Sequence, residues 1–116
     1  MMLNKGRHGS TRILARPTVE LMTTDHLSPA QKTVSGLVPG YFDSHGWGFC
    51  VSVVTRRQEA RSVGTFGWDG GMGTSWWSDP REDLVGVLMT QRSGKSPIPP
   101  PVCQHFWTLA YQAIDD

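Results

Sequence analysis

Ser62-Val63-Gly64-Thr65-Phe66-Gly67-Trp68, then Asp69-Gly70-Gly71-Met72-Gly73, then Thr74-Ser75-Trp76-Trp77-Ser78: this stretch decides the fold. Aromatic and β-branched residues flank a corner with three glycines in four positions, which reads as two strands joined by a tight turn. Working outward, Asp79-Pro80-Arg81-Glu82-Asp83 is a proline turn, with Asp79 and Asp83 as turn formers. Residues 84–90 form a further strand, apolar on both faces, which predicts a central place in the sheet. Upstream, Trp47, Phe49, Val51 and Val53 alternate with Gly48, Cys50, Ser52 and Val54. That period of two predicts one strand over residues 47–55, its odd positions facing a core. Arg56, Arg57, Glu59 and Arg61 read as a solvated loop between strands. Short connections predict antiparallel neighbours.

Beyond the sheet, residues 1–32 read as short helices. Gly6 is placed to stop the first in a left-handed turn, Arg7 to Thr11 are a polar connection, Pro17 opens a helix that ends near His26, and Ser28 caps the next. Residues 33–45 are a loop, 46–90 the strands and 91–101 a proline-rich link. Val102, Phe106, Leu109, Ala110 and Ala113 make a stripe that predicts an amphipathic helix over residues 102–115. The expected fold is α+β, an antiparallel meander of about four strands with the C-terminal helix packed on it, in one partial domain over 1–116.

Composition removes several functions. The 116 residues suffice for one small domain, and hydrophobic residues at 38% with charged ones at 18% do not describe a disordered chain. A net charge of +1 offers no excess to neutralise phosphates, so no nucleic-acid partner is expected. Apolar runs are a few residues long, so no membrane span is expected, and the start does not resemble a secretory leader, which makes the cytoplasm the expected compartment. Cys50 and Cys103 are too few and too far apart for a metal site or a disulfide framework, and His8, His26, His45 and His105 are scattered without ligand spacing. No metal or cofactor is expected. Trp76 and Trp77 point to opposite faces of their strand, so one of them belongs to the core.

The glycine corner is where chemistry is expected. A strand that ends in glycines presents main-chain N–H groups to a carbonyl oxygen or an extended acyl chain, and Trp68 can wall an apolar pocket. The same residues also read as a plain hairpin corner with one packed tryptophan. Asp69 is expected to cap the corner by accepting from backbone N–H groups.

The run Gly64 to Pro80, followed by Leu84 to Gln91, resembles the last third of serine β-lactamase-related hydrolases: class C β-lactamases, D-alanyl carboxypeptidases of the penicillin-binding-protein kind, and esterases of the same fold. Arg12-Ile13-Leu14 through Val19-Glu20-Leu21-Met22 is similar to the helix before that family's C-terminal strands, and Trp47-Gly48-Phe49-Cys50-Val51 to the strand after it. Three motifs meet in that family's site: Ser-x-x-Lys, Tyr-x-Asn or Ser-x-Asn, and Lys-Thr-Gly or a His-x-Gly or Trp-x-Gly variant. Trp68-Asp69-Gly70 matches the Trp-x-Gly form, preferred over the register that sets Thr65-Phe66-Gly67 opposite Lys-Thr-Gly. The resemblance implies that Trp68, Asp69, Gly70 and Gly71 bind substrate, that the backbone just after the motif supplies one oxyanion contact, and that His45 stands near the site rim. With Trp68 in place of the lysine, it leans toward ester substrates.

The other two motifs are absent. Met2, Pro29 and Arg92 stand three residues before Lys5, Lys32 and Lys95, and the one asparagine, Asn4, follows no tyrosine or serine at the required spacing. No catalytic residue is therefore assigned. The expectation is a C-terminal fragment of a serine hydrolase that performs ester or amide acyl transfer when intact and is inactive alone. Its partner would be the missing N-terminal part, separately encoded or lost, or a second copy. The alternative is a free-standing β-meander that binds a peptide or a partner chain.

Overall fold

The computed structural model describes residues 1–35 and 38–115, so Gly36, within the expected loop, lies outside the described residues. The chain opens with a turn and a small hairpin, β1 (Arg7–His8) against β2 (Thr11–Arg12). The residues before Gly6 form turns rather than a helix, and the expected polar connection pairs with itself instead. Two short helices follow, α1 (Arg16–Met22) and α2 (Pro29–Val34). Pro17 sits in the first turn of α1, and the helix stops at Met22 rather than near His26. Ser28 caps α2 in a reciprocal arrangement with Gln31: its hydroxyl accepts from the Gln31 N–H, and Gln31 Oε1 accepts from the Ser28 N–H. After a 3-10 turn at Tyr41–Asp43 come five strands and a helix: β3 (His45–Trp47), β4 (Ser52–Val54), β5 (Phe66–Gly70), β6 (Thr74–Asp79), β7 (Leu84–Leu88) and α3 (Pro101–Gln112).

The five strands are antiparallel neighbours in chain order, the expected meander with one strand more. The extra one comes from residues 47–55, which are two strands rather than one. Cys50 takes a left-handed conformation with φ of 61°, and the Gly48 N–H donates to the Val51 carbonyl across 2.8 Å, folding the stretch into a hairpin. Strict alternation cannot reveal a turn that a non-glycine residue makes. β7 also departs from expectation: it is the edge strand, with Val85 and Val87 about half exposed, so its apolar outer side marks an uncovered face rather than a central place.

Register fixes the two faces of the sheet. Trp47, Ser52, Gly67, Trp77 and Gly86 form a row on one face, and Gly46, Val53, Phe66, Ser78 and Val85 form the next row on the other. α3 covers the first face. Trp107 packs with Trp77 and Val54, and its ring occupies the space that a Cβ at Gly86 would need. The buried side of α3 is Cys103 and Trp107, flanked by Phe106, Ala110 and Tyr111. It is rotated from the expected stripe: Val102 and Leu109 are exposed, because tryptophan and tyrosine carry the larger apolar areas and take the sheet side. On the second face, Val51, Val53 and Phe66 form a core with Met2, Leu3 and Trp76.

Asp25 fastens the helical segment to the sheet. It pairs with Lys32 and accepts from the N–H groups of Leu27 and Trp47, while the His26 N–H donates to the Trp47 carbonyl across 2.9 Å. Burial pushes the Asp25 carboxyl up, but Lys32 and the two backbone donors outweigh it and hold the group below its usual range.

Candidate active-site wall

Trp68, Asp69 and Gly70 form the second half of β5, and Gly71 begins the turn that follows. β6 pairs with β5 along its whole length, from Phe66 to Gly70. β4 meets β5 only at Phe66 and Gly67. From Trp68 onward β5 therefore has a neighbour on one side and a gap on the other. The alternation that aims the Thr65 carbonyl at the Val54 N–H aims the main chain of Asp69 into that gap. Trp68, Asp69 and Gly70 thus have no strand paired to them on the β4 side.

Trp68 is half-buried and walls this edge. Its ring meets Trp47 edge-on at 4.9 Å and Tyr41 edge-on at 6.5 Å. Tyr41 is the anchor of this aromatic group: its hydroxyl donates to Ser52 Oγ across 2.6 Å and its ring stacks on His45 at 4.6 Å. Tyr41 lies within residues 33–45, where loop composition gave no sign of it. Burial raises the Tyr41 hydroxyl above its usual range. His45 is hydrogen-bonded through Nδ1 to Ser44 Oγ at 2.9 Å, and burial followed by the nearby Arg61 holds its ring below the usual range. A neutral imidazole stacked on a phenol beside the wall is what the structure provides at His45.

Asp69 points onto the face that α3 covers. It does not cap the corner. Its Oδ1 accepts from the Ser75 hydroxyl and from Trp77 Nε1 at 3.3 Å, and Ser75 Oγ accepts in turn from Trp107 Nε1 at 2.8 Å. A chain of charge-assisted and neutral hydrogen bonds thus ties the middle residue of the Trp-x-Gly triplet to the terminal helix. A side chain at this position faces the helix because Asp69 is paired with Ser75 and lies two residues from Gly67, in the rows that α3 covers.

Gly73, with φ of 79°, closes the turn, and the main chain at Arg92 passes where its side chain would be. The Gly94 N–H donates to the Gly71 carbonyl across 2.8 Å, and Thr90 Oγ1 donates to the Gly73 carbonyl across 2.6 Å. The proline-rich link therefore folds back against the glycine corner rather than running free.

Two further expectations need correction. Arg61 is not solvated: it is 8% exposed, its guanidinium lies 4.2 Å over the Trp77 ring, and it pairs with Glu59 at 2.8 Å. Asp79 does more than form a turn. It is buried, and it accepts from the N–H groups of Ser62, Arg81 and Glu82 and from the Tyr111 hydroxyl at 2.7 Å. Burial pushes its carboxyl up, but these donors prevail and lower it. Among the described residues, no three His, Cys, Asp or Glu side chains converge where a metal ion could sit, and Cys50 and Cys103 are free thiols.

With that geometry in view, a family model described as Beta-lactamase matches residues 4–100. The chain belongs to the β-lactamase family. Protein Rv1367c of Mycobacterium tuberculosis (strain ATCC 25618 / H37Rv) is 36% identical over 97 residues, 78% of this chain and 24% of that protein. The uncharacterized protein MT1414 of strain CDC 1551 / Oshkosh matches equally. This β-lactamase-family chain thus spans about a quarter of the length of the curated relatives it matches. Among solved structures it is similar to EstCE1, a hydrolase with promiscuous acyltransferase activity, at 28% identity and a TM-score of 0.59, over 79% of this chain and 22% of that one. It is also similar in fold to unliganded simvastatin synthase (LovD) from Aspergillus terreus, at 18% identity and a TM-score of 0.67, over 92% of this chain and 29% of that one. The chain has the β-lactamase-type hydrolase fold.

Proposed function

We propose that this chain is the C-terminal part of a serine hydrolase of the β-lactamase-related, esterase-like kind, and that it lines a site whose nucleophile lies elsewhere. The observation that carries this reading is the strand edge from Trp68 to Gly70, which has β6 on one side and a gap on the other. In the intact protein, an upstream serine attacks the ester or amide carbonyl and releases the alcohol or amine. Water then frees the acyl group from the serine ester. The main chain around Asp69 to Gly71 holds the acyl portion and the developing oxyanion, and Trp68 covers the apolar side. The lack of a cation at Trp68, where the lysine of Lys-Thr-Gly would stand, favours esters over β-lactams.

The chain by itself is proposed to be without turnover, because none of its lysines stands three residues after a serine. The test is steady-state hydrolysis of p-nitrophenyl butyrate and of a chromogenic cephalosporin by the purified 116-residue chain. No saturable rate is expected. Saturable hydrolysis blocked by a serine-directed phosphonate overturns the fragment reading. For the acyl-transfer reading, the same gene region is expressed together with the in-frame upstream sequence. Ester hydrolysis that disappears when the serine of an upstream Ser-x-x-Lys is changed to alanine is expected, and the absence of any such hydrolysis overturns it.

A further inference from the structure

The link after β7 encloses a groove of about 750 Å³ beside the glycine corner, a size suited to a small-molecule site. Ile98, Pro99 and Val102 give it an apolar wall, while Arg92 and Lys95 supply its charge. No acidic residue lines it, and among the described residues neither cation has an ion pair or a side-chain hydrogen bond. The groove lies against the glycine corner, because two of its lining residues bond to it: the Gly94 N–H to the Gly71 carbonyl and Thr90 Oγ1 to the Gly73 carbonyl.

We infer that this groove binds an amphiphilic carboxylate, an aliphatic chain ending in an anionic group, with the chain along Ile98 and Val102 and the carboxylate between Arg92 and Lys95. Charge complementarity commits the groove to this occupant: an apolar wall alone accepts any aliphatic ligand, but two unpaired cations at its rim favour an anion. Arg92 and Lys95 thus offer the groove positive charge from a segment outside the Trp-x-Gly triplet. Resting on the acyl-transfer reading, this names the substrate class as an ester whose acyl or alcohol part carries a second, anionic end.

The test is binding, which needs no turnover. The 116-residue chain is titrated with octanoate, 1-octanol and acetate by calorimetry at low salt. Octanoate is expected to bind at least about fivefold more tightly than octanol, with the gap closing at high salt, and acetate is expected not to saturate. The Arg92→Gln, Lys95→Gln double variant, altered at exposed positions, is expected to melt like the parent and to bind octanoate no better than octanol. Ile98→Asn is expected to weaken both. Equal affinity for octanoate and octanol, unchanged octanoate binding in the double variant, or no saturation by octanoate overturns the inference. In the intact-length protein, the mono-p-nitrophenyl ester of suberate is compared with p-nitrophenyl octanoate. Turnover of both without preference overturns the anionic substrate class alone. Turnover of neither overturns the acyl-transfer reading, and octanoate binding then decides by itself whether the groove takes an amphiphilic carboxylate.

Discussion

Trp107 of α3 donates its indole N–H to Ser75 Oγ of β6 across 2.8 Å, and Ser75 donates onward to Asp69. The terminal helix is thereby fixed, through a bond between residues 32 apart, to the triplet that forms the candidate wall. Replacing Trp107 by phenylalanine keeps most of the apolar packing on Trp77 but leaves the buried Ser75 without its donor. Trp107→Phe is expected to destabilise the chain by about 1–3 kcal/mol in urea unfolding. A midpoint equal to that of the parent contradicts a structural role for this bond.

Tyr111 and Asp79 make the second tie between helix and sheet, at 2.7 Å. The tyrosine hydroxyl is pushed above its usual range by burial and then by the Asp79 carboxylate, which favours its protonated, donating form. Tyr111→Phe removes a hydrogen bond to a charged group and is expected to cost about 1.5–3 kcal/mol. Unfolding monitored by tryptophan fluorescence measures it.

The pH dependence follows from three groups. His45 is held below its usual 6.5, so the unfolded chain binds the proton more readily. Its contribution to stability is complete above 6.5 and is lost as pH falls through the lower folded value. Asp25 and Asp79 are held below their usual 3.8, so their contributions are complete above that value and lost only in stronger acid. Urea midpoints are expected to fall in two stages. His45→Gln is expected to flatten the first stage, below pH 6.5, and to keep the second. A first stage that survives in His45→Gln assigns it to another group.

Cys50 is exposed and holds φ at 61°, a conformation that costs an L-residue roughly 1–2 kcal/mol and glycine almost nothing. Cys50→Gly is expected to raise the melting temperature by a few degrees, after allowance for the greater freedom of glycine in the unfolded chain. A lower melting temperature shows that the thiol makes a stabilising contact.

β7 presents a five-residue edge with Val85 at 52% and Val87 at 55% exposure, an arrangement that invites strand pairing between copies. The chain is expected to self-associate through this edge. Val87→Lys is expected to shift sedimentation toward the monomer at equal concentration. An unchanged distribution, or a parent that is monomeric throughout, rules the edge out.

Much of this architecture is legible in the amino-acid order, where the deciding physics is local. The corner at residues 70–73 follows from its glycines, the α2 cap from Ser28, and the meander from its short connections. What escapes the order depends on contacts that form only across the fold. Arg61 reads as solvated because the ring beneath it, Trp77, is sixteen residues away. Asp69 reads as a corner cap because its true donors sit on β6. Residues 47–55 read as one strand because a cysteine, not a glycine, makes the turn. β7 reads as central because apolar composition records a need for cover, not the presence of it. At the candidate wall, Trp68 and its glycines are legible from the motif, while Tyr41, Trp47 and Trp107 around them are not.

The link's hold on the corner has a consequence for how such a protein changes over generations. Because the backbone at Arg92 fills the space beside Gly73, and Gly94 grips Gly71, insertions or proline exchanges in the link reshape the glycine corner while leaving every strand untouched. The shape of that corner can drift through a segment that carries no motif at all.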